Sequence, residues 1–413
     1  MKANVNRWWL LPFGILTASA LLSLSIIVLE PALTSRSSAE VAQKAPREPV
    51  QTSKEADTTS EPVETSEVAT VSEPAATDEA RMDCSGAFAT DYACYQKRYR
   101  DLVRSFGVQA AFADLRNDFA RDDFVKTNCH QMAHVIGRAA AEIYGDMPTT
   151  YSRGDSFCAS GYYHGAMETI VAKIGPDKIL DQANTLCAGL DGDQGHSFNH
   201  YNCAHGLGHG FMSVQENDLF KALQTCDLLG DEWERNRCYG GAFMENVISQ
   251  NNPSNPSKYL EADRPLYPCT EVQSRYKDEC YQRQTSYGLQ TQGNDFAKVF
   301  GLCSKAESDL RPACYQGLGW DASVQSIIKQ GSLGNAAINE STSNLCGLGE
   351  DHEARSNCVV GAVDYFIRQY YSNVQARAFC GFLSADLRAT CFQEAEDYYK
   401  SLRPPSERRG ILS

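Results

Sequence analysis

Beyond residue 83 the apolar positions of this chain fall in blocks that keep a fixed relation to cysteine. An apolar stretch ends near one cysteine, a polar segment such as GDEWERNR or SKAESDLRPA follows, and a second stretch begins at the next cysteine. The second stretches share a phrase: CYGGAFMEN at Cys238, CYQRQTSYG at Cys280, CYQGLGWDA at Cys314, CVVGAVDYF at Cys358 and CFQEAEDYY at Cys391. The first stretches close on a matching one, TCDLLG, PCTEVQ, LCSKAE, LCGLGE and FCGFLS, whose cysteines alternate between spacings of 43 and 34 residues from Cys226 to Cys380. Strand-like alternation is scarce and helix formers dominate, so each unit predicts two helices joined by a polar turn. The recurrence predicts an array of such hairpins. The expected fold class is therefore all-α, a solenoid-like stack of disulfide-stapled helical hairpins. The phrases fit no named repeat consensus.

Upstream the pattern changes twice. Trp8 to Leu29 is apolar and uncharged, long enough at about 1.5 Å per residue to cross a hydrocarbon core of roughly 30 Å. It exceeds the usual apolar region of a cleaved signal peptide, so residues 1–30 read as a membrane anchor. Lys2 and Arg7 precede it, which places the N-terminus in the cytoplasm and everything after Glu30 outside. From 31 to 82 the order is Ser, Thr, Glu, Pro, Ala and Val in low complexity. Such a segment cannot bury enough apolar surface to offset its ordering entropy and reads as a disordered acidic tether. Two further regions complete the expected organisation, a histidine-rich one at 83–215 and the cysteine-paired repeats at 216–413.

Cysteine usage agrees with that orientation. All 16 cysteines lie between Cys84 and Cys391, an even number in a pattern that suits an oxidising compartment. Sequence proximity pairs Cys84 with Cys94, Cys187 with Cys203, Cys226 with Cys238, Cys269 with Cys280, Cys303 with Cys314, Cys346 with Cys358 and Cys380 with Cys391, leaving Cys129 and Cys158 as a wider pair. The expected location is the inner, cytoplasmic membrane, crossed once, with the folded part periplasmic or extracellular. A net charge of −14 with no basic stripe argues against nucleic acid as a partner. The expected partners are the membrane, through the N-terminal helix, and a protein on the C-terminal repeats.

Histidine supplies the candidate chemistry. Seven of the eight histidines fall between His130 and His209, and six of them form three H-x-x-x-H pairs: His130/His134, His196/His200 and His205/His209. His164 makes a fourth four-residue pair with Glu168 in HGAME. Residues four apart share a helix face, with Cβ atoms about 5–6 Å apart, so two imidazoles there can hold one ion. His134, His164 and His209 also keep the same register, five or six residues after Cys129, Cys158 and Cys203. The predicted ligand set is His130, His134, His164, Glu168, His196, His200, His205 and His209, binding one or two ions of copper, iron or zinc per chain. Ala133, Gly137 and Ala141 on the first helix and Gly206, Gly208 and Gly210 on the last are small enough for close helix approach. Those same glycines weaken helix formation and leave HGLGHG open to being a loop. Glu245 and Asp155 lie near these phrases without an assigned role. Met132, Met167, Met212 and Met244 are expected to pack in the core, and isolated His352 to face solvent.

The chain has no C-x-x-C-H, no H-E-x-x-H and no Walker lysine after GLGHG, which removes covalent haem, a standard zincin site and a P-loop. The expected function is a membrane-anchored extracytoplasmic metalloenzyme that activates water or oxygen. Against it stand a metal carrier or sensor without turnover, and a helical interaction scaffold whose histidines only make hydrogen bonds.

Overall fold

A computed structural model describes residues 82–402, apart from 189, 191–195, 251–255 and 331–335. The expected anchor, and the tether as far as residue 81, lie outside the described residues. Among the described residues no helix is long and apolar enough to cross a membrane.

The described residues are helical and contain no strand. The helices are α1 (Tyr92–Arg121), α2 (Asp123–Tyr144), α3 (Met147–Ser152), α4 (Gly161–Ile174), α5 (Pro176–Leu186), α6 (Phe198–Val214), α7 (Leu219–Cys226), α8 (Glu232–Ser249), α9 (Ser274–Thr291), α10 (Phe296–Cys303), α11 (Arg311–Gln330), α12 (Ala336–Cys346), α13 (His352–Tyr370), α14 (Val374–Cys380) and α15 (Ala385–Ser401). Their starts follow local chemistry. Asp122, Ser197, Asp231 and Asp351 each accept a hydrogen bond from a backbone N–H in the first turn of α2, α6, α8 and α13. Such caps satisfy donors that the helix itself cannot, each worth about 1 kcal/mol. Gly145 ends α2 in the left-handed conformation at φ 82°, where a side chain would be strained.

The eight disulfides join the pairs that sequence proximity picks out. From Cys226 onward each ties a short helix, or the turn before α9, to the first half of the next long helix. Loops of this length give about 3 kcal/mol each in the chain-entropy account.

The long helices pack in chain order, α1 on α2, α2 on α4, α4 on α6, α6 on α8, then through α9, α11 and α13 to α15. An open solenoid would keep contacts between neighbours only. Here the later helices also meet the earlier ones. α11 packs on α2, the Gln369 side chain accepts from the Ala159 N–H at 2.6 Å, the Phe198 N–H donates to the Leu402 carbonyl at 3.0 Å, and Arg368 donates to the Tyr201 hydroxyl. This closure sets residues far apart in sequence around one interior. The core between the helices is aromatic and aliphatic, with Tyr99, Phe112, Tyr162, Phe211 and Phe366 almost wholly buried, each contributing about 1.5–3 kcal/mol. Met132, Met167 and Met212 belong to that core, and His352 is exposed at the start of α13.

Candidate metal centre

The histidine centre depends on close helix crossings. A Cβ at Gly137 would strike the Tyr162 carbonyl and one at Gly165 the His134 carbonyl, while Gly208 and Gly241 abut the carbonyls of Cys238 and His205. Only hydrogen fits at these four positions, so α2 meets α4, and α6 meets α8, nearly backbone to backbone. HGLGHG is continuous helix within α6, because tertiary packing outweighs the weak intrinsic propensity of its glycines.

Five histidines come together at these crossings. Ring centroids lie 4.7 Å apart for His130 and His134, 5.2 Å for His130 and His164, 5.0 Å for His164 and His205, and 5.9 Å for His134 and His209. His164 and His209 stack at 4.2 Å with 17° between planes. Three groups could hold a metal ion, each with ligand atoms within 4.8 Å of one another: His130 with His134 and His164, His164 with His205 and His209, and Glu168 with His209 and Glu245. His164 and His209 each belong to two groups.

The partners of these rings decide which nitrogens are free. His134 Nδ1 is 2.8 Å from Glu168 Oε1, His209 Nδ1 is 2.8 Å from Glu245 Oε2, and His130 Nδ1 is 2.9 Å from the Cys158 carbonyl. Carbonyl and ionised carboxylate oxygens only accept, so each Nδ1 carries a proton, which leaves Nε2 of a neutral ring with a lone pair. His130 Nε2 and His134 Nε2 then face each other at 3.1 Å. Two nitrogens at that distance repel unless a proton or a metal ion stands between them. Arg138 binds the other oxygen of Glu168 at 2.6 Å and fixes the carboxylate.

Burial, reinforced by His134, pushes His130 down to about 3, and burial followed by His209 and His205 holds His164 well below the ordinary imidazole range. His205 is depressed by burial, then by His209 and by Arg283, Arg368 and Arg237. Burial would raise the Glu168 carboxyl, but His134 and Arg138 outweigh it and hold the group well below the usual carboxylate range. His130, His164 and His205 are therefore neutral and Glu168 ionised near pH 7, the protonation states that metal ligands require. Three buried ring nitrogens, His164 Nδ1, His205 Nδ1 and His209 Nε2, have no hydrogen-bond partner among the described residues.

Two predicted ligands stand apart from these groups. Ser197 caps α6, so His196 precedes the helix and the spacing rule for His196 and His200 does not apply. At about 100° per residue His200 lies on the opposite side of α6 from His209. His196 stacks on Trp233 at 4.1 Å, and His200 Nε2 is 2.7 Å from Glu234 Oε1. Among the described residues neither belongs to a group able to hold an ion. Glu245 was outside the predicted ligand set and enters the centre from α8. It stands seven residues after Cys238, nearly the register of His209 after Cys203. Asp155 instead pairs with Arg116 at 2.8 Å.

Comparison with known proteins finds no matching family model, no matching curated protein and no matching solved structure.

Proposed function

We propose that this chain is a membrane-tethered extracytoplasmic metalloenzyme, with one or two transition-metal ions held by His130, His134, His164, His205 and His209, whose rings Glu168 and Glu245 support. The observation that carries the reading is the pair of Nε2 lone pairs facing each other at 3.1 Å between His130 and His134. Tetrahedral ligands on bonds of about 2.0–2.1 Å stand about 3.3 Å apart, so the pair is close to the spacing an ion imposes. A purely structural hydrogen-bond network would not leave three further buried ring nitrogens unpartnered.

The donor set narrows the metal. All 16 cysteines are in disulfides, which removes thiolate, and imidazole with carboxylate suits zinc, copper and iron. Such an ion would supply Lewis-acid polarisation or, for copper and iron, redox chemistry. Glu168 and Glu245 would orient His134 and His209 and raise their basicity, as outer carboxylates do in metal sites generally. Turnover is favoured over storage because His130 also lines a cavity, giving a small molecule a route to the centre.

The test is elemental analysis of protein expressed with export and purified without a polyhistidine tag. We expect about one or two equivalents of zinc, copper or iron to survive dialysis. Protein with all disulfides formed, native helix content and no retained or reconstitutable metal would overturn the reading.

A further inference from the structure

The cavity beside the histidines has a volume of about 240 Å³ and is lined by residues of α1, α2, α8, α9, α11 and α13 and of the segment before α4. His130 forms part of its wall. A narrower recess shares Ala159, Met244, Trp320, Tyr365 and Gln369 with it and reaches His164 and His205. The chamber thus adjoins the centre on two sides. Much of its lining is apolar, including Phe157, Val247, Ile248, Val324 and Ile327.

One wall carries a charge without adequate partners. Arg283 lines the cavity, is 4% exposed, and has no hydrogen-bond partner for any of its three guanidinium nitrogens. Its carboxylate neighbour Glu279 is 4.0 Å away and is taken at 2.8 Å by Arg237. Two arginines share one carboxylate, and Arg368 adds a third buried guanidinium whose hydrogen bonds go to the hydroxyls of Tyr201 and Tyr398. The acids that could compensate are shifted toward neutrality: burial pushes Asp321 up to about 6 and Asp364 up to about 7. Asp321 takes a hydrogen bond from Ser286 on one oxygen, and its other oxygen is unpartnered. Leaving a buried cation without acceptors costs more than leaving a neutral group so, unless a bound molecule brings the acceptors.

We propose that the cavity binds a small amphipathic anion, a carboxylate on an aromatic or branched apolar body, with its charge on Arg283 and its body against Trp320 and Val324. Its role as the substrate of the metal centre rests on the reading above, whereas its binding does not. The Arg283 guanidinium lies under the Trp320 indole, 4.7 Å from the ring centroid, and its nitrogens are closed to solvent. An arriving carboxylate must therefore shift Trp320, which makes that indole the reporter.

The experiment titrates the full chain, metal-loaded and metal-free, with phenylacetate and with 2-phenylethanol, which keeps the ring and lacks the charge. Calorimetry and tryptophan emission are read together. Phenylacetate is expected to bind at least about tenfold more tightly, with Trp320 emission shifted, and Arg283→Gln to abolish that preference without changing metal content. Val324→Trp, which fills the apolar wall and keeps the arginine, should weaken both compounds, and it decides the matter if Arg283→Gln does not fold. Equal affinities, no binding of either compound, or a preference that survives in Arg283→Gln or an affinity unmoved in Val324→Trp would overturn the proposal. A chain that holds no metal but keeps an Arg283-dependent preference sinks the metalloenzyme reading alone. A chain that holds metal and shows no preference sinks the cavity proposal alone.

Discussion

His134 gives its Nδ1–H to Glu168 across 2.8 Å, and the bond joins α2 to α4. The same carboxylate is anchored by Arg138, one turn further along α2. Glu168 therefore fixes both the tautomer and the direction of His134, and with them the lone pair turned toward His130. Glu168→Gln should lower metal affinity by about 10–100-fold, the usual cost of losing such a partner. Competition against a chromophoric chelator measures it. Unchanged affinity would mean that Glu168 does not orient a ligand.

His134→Ala removes a ring from the centre, and His200→Ala removes one that faces Glu234 instead. The first should reduce bound metal strongly, and the second should leave the stoichiometry as it is. Both variants should keep their helix content by circular dichroism, since the eight disulfides and the other core side chains remain in place. Equal metal loss in the two would show that the ligand set extends around α6.

Protonation gives a third prediction. A folded-state value of about 3 for His130 against about 6.5 in the unfolded chain means that the unfolded chain binds the extra proton first. The stability His130 contributes in metal-free protein is thus complete above about pH 6.5 and is lost as pH falls toward 3. His130→Gln cannot take up that proton. The melting-temperature gap between parent and variant, both stripped of metal, should therefore shift in favour of the variant between pH 7 and pH 5. A gap that stays constant, or moves toward the parent, would contradict the buried neutral ring.

Packing gives the last. Gly165→Ala drives a methyl group into the His134 carbonyl, and the α2–α4 crossing must open to admit it. Overpacking of this kind costs typically about 1–3 kcal/mol, to be read from urea midpoints, and metal affinity should fall with it because the rings separate. A variant as stable as the parent with full metal affinity would show that the crossing is not tight.

The pattern of apolar blocks and cysteines was enough to read the helical fold class and the disulfide pairing, because both are local. A hairpin brings residues 10–16 apart together whatever the rest of the chain does, and Cys129 and Cys158, 29 apart, pair as the two left over. The 3.6-residue turn also sets His130 beside His134 and His205 beside His209, whereas Glu168, expected to share a site with His164, is taken by His134 from the neighbouring helix. The His196 and His200 spacing misled because Ser197 starts α6 between them, a boundary that spacing alone does not reveal.

What only the tertiary structure decided is non-local. Glu245 reaches His209 because Gly208 and Gly241 let α6 and α8 touch, and no motif within either helix encodes that crossing. Arg283, Trp320 and His130 meet around one cavity because the array turns back until α11 lies on α2. Local sequence sets which face of each helix is apolar. The angles at which the described helices pack until α11 reaches α2 are sums of many small packing choices, and no single residue carries them.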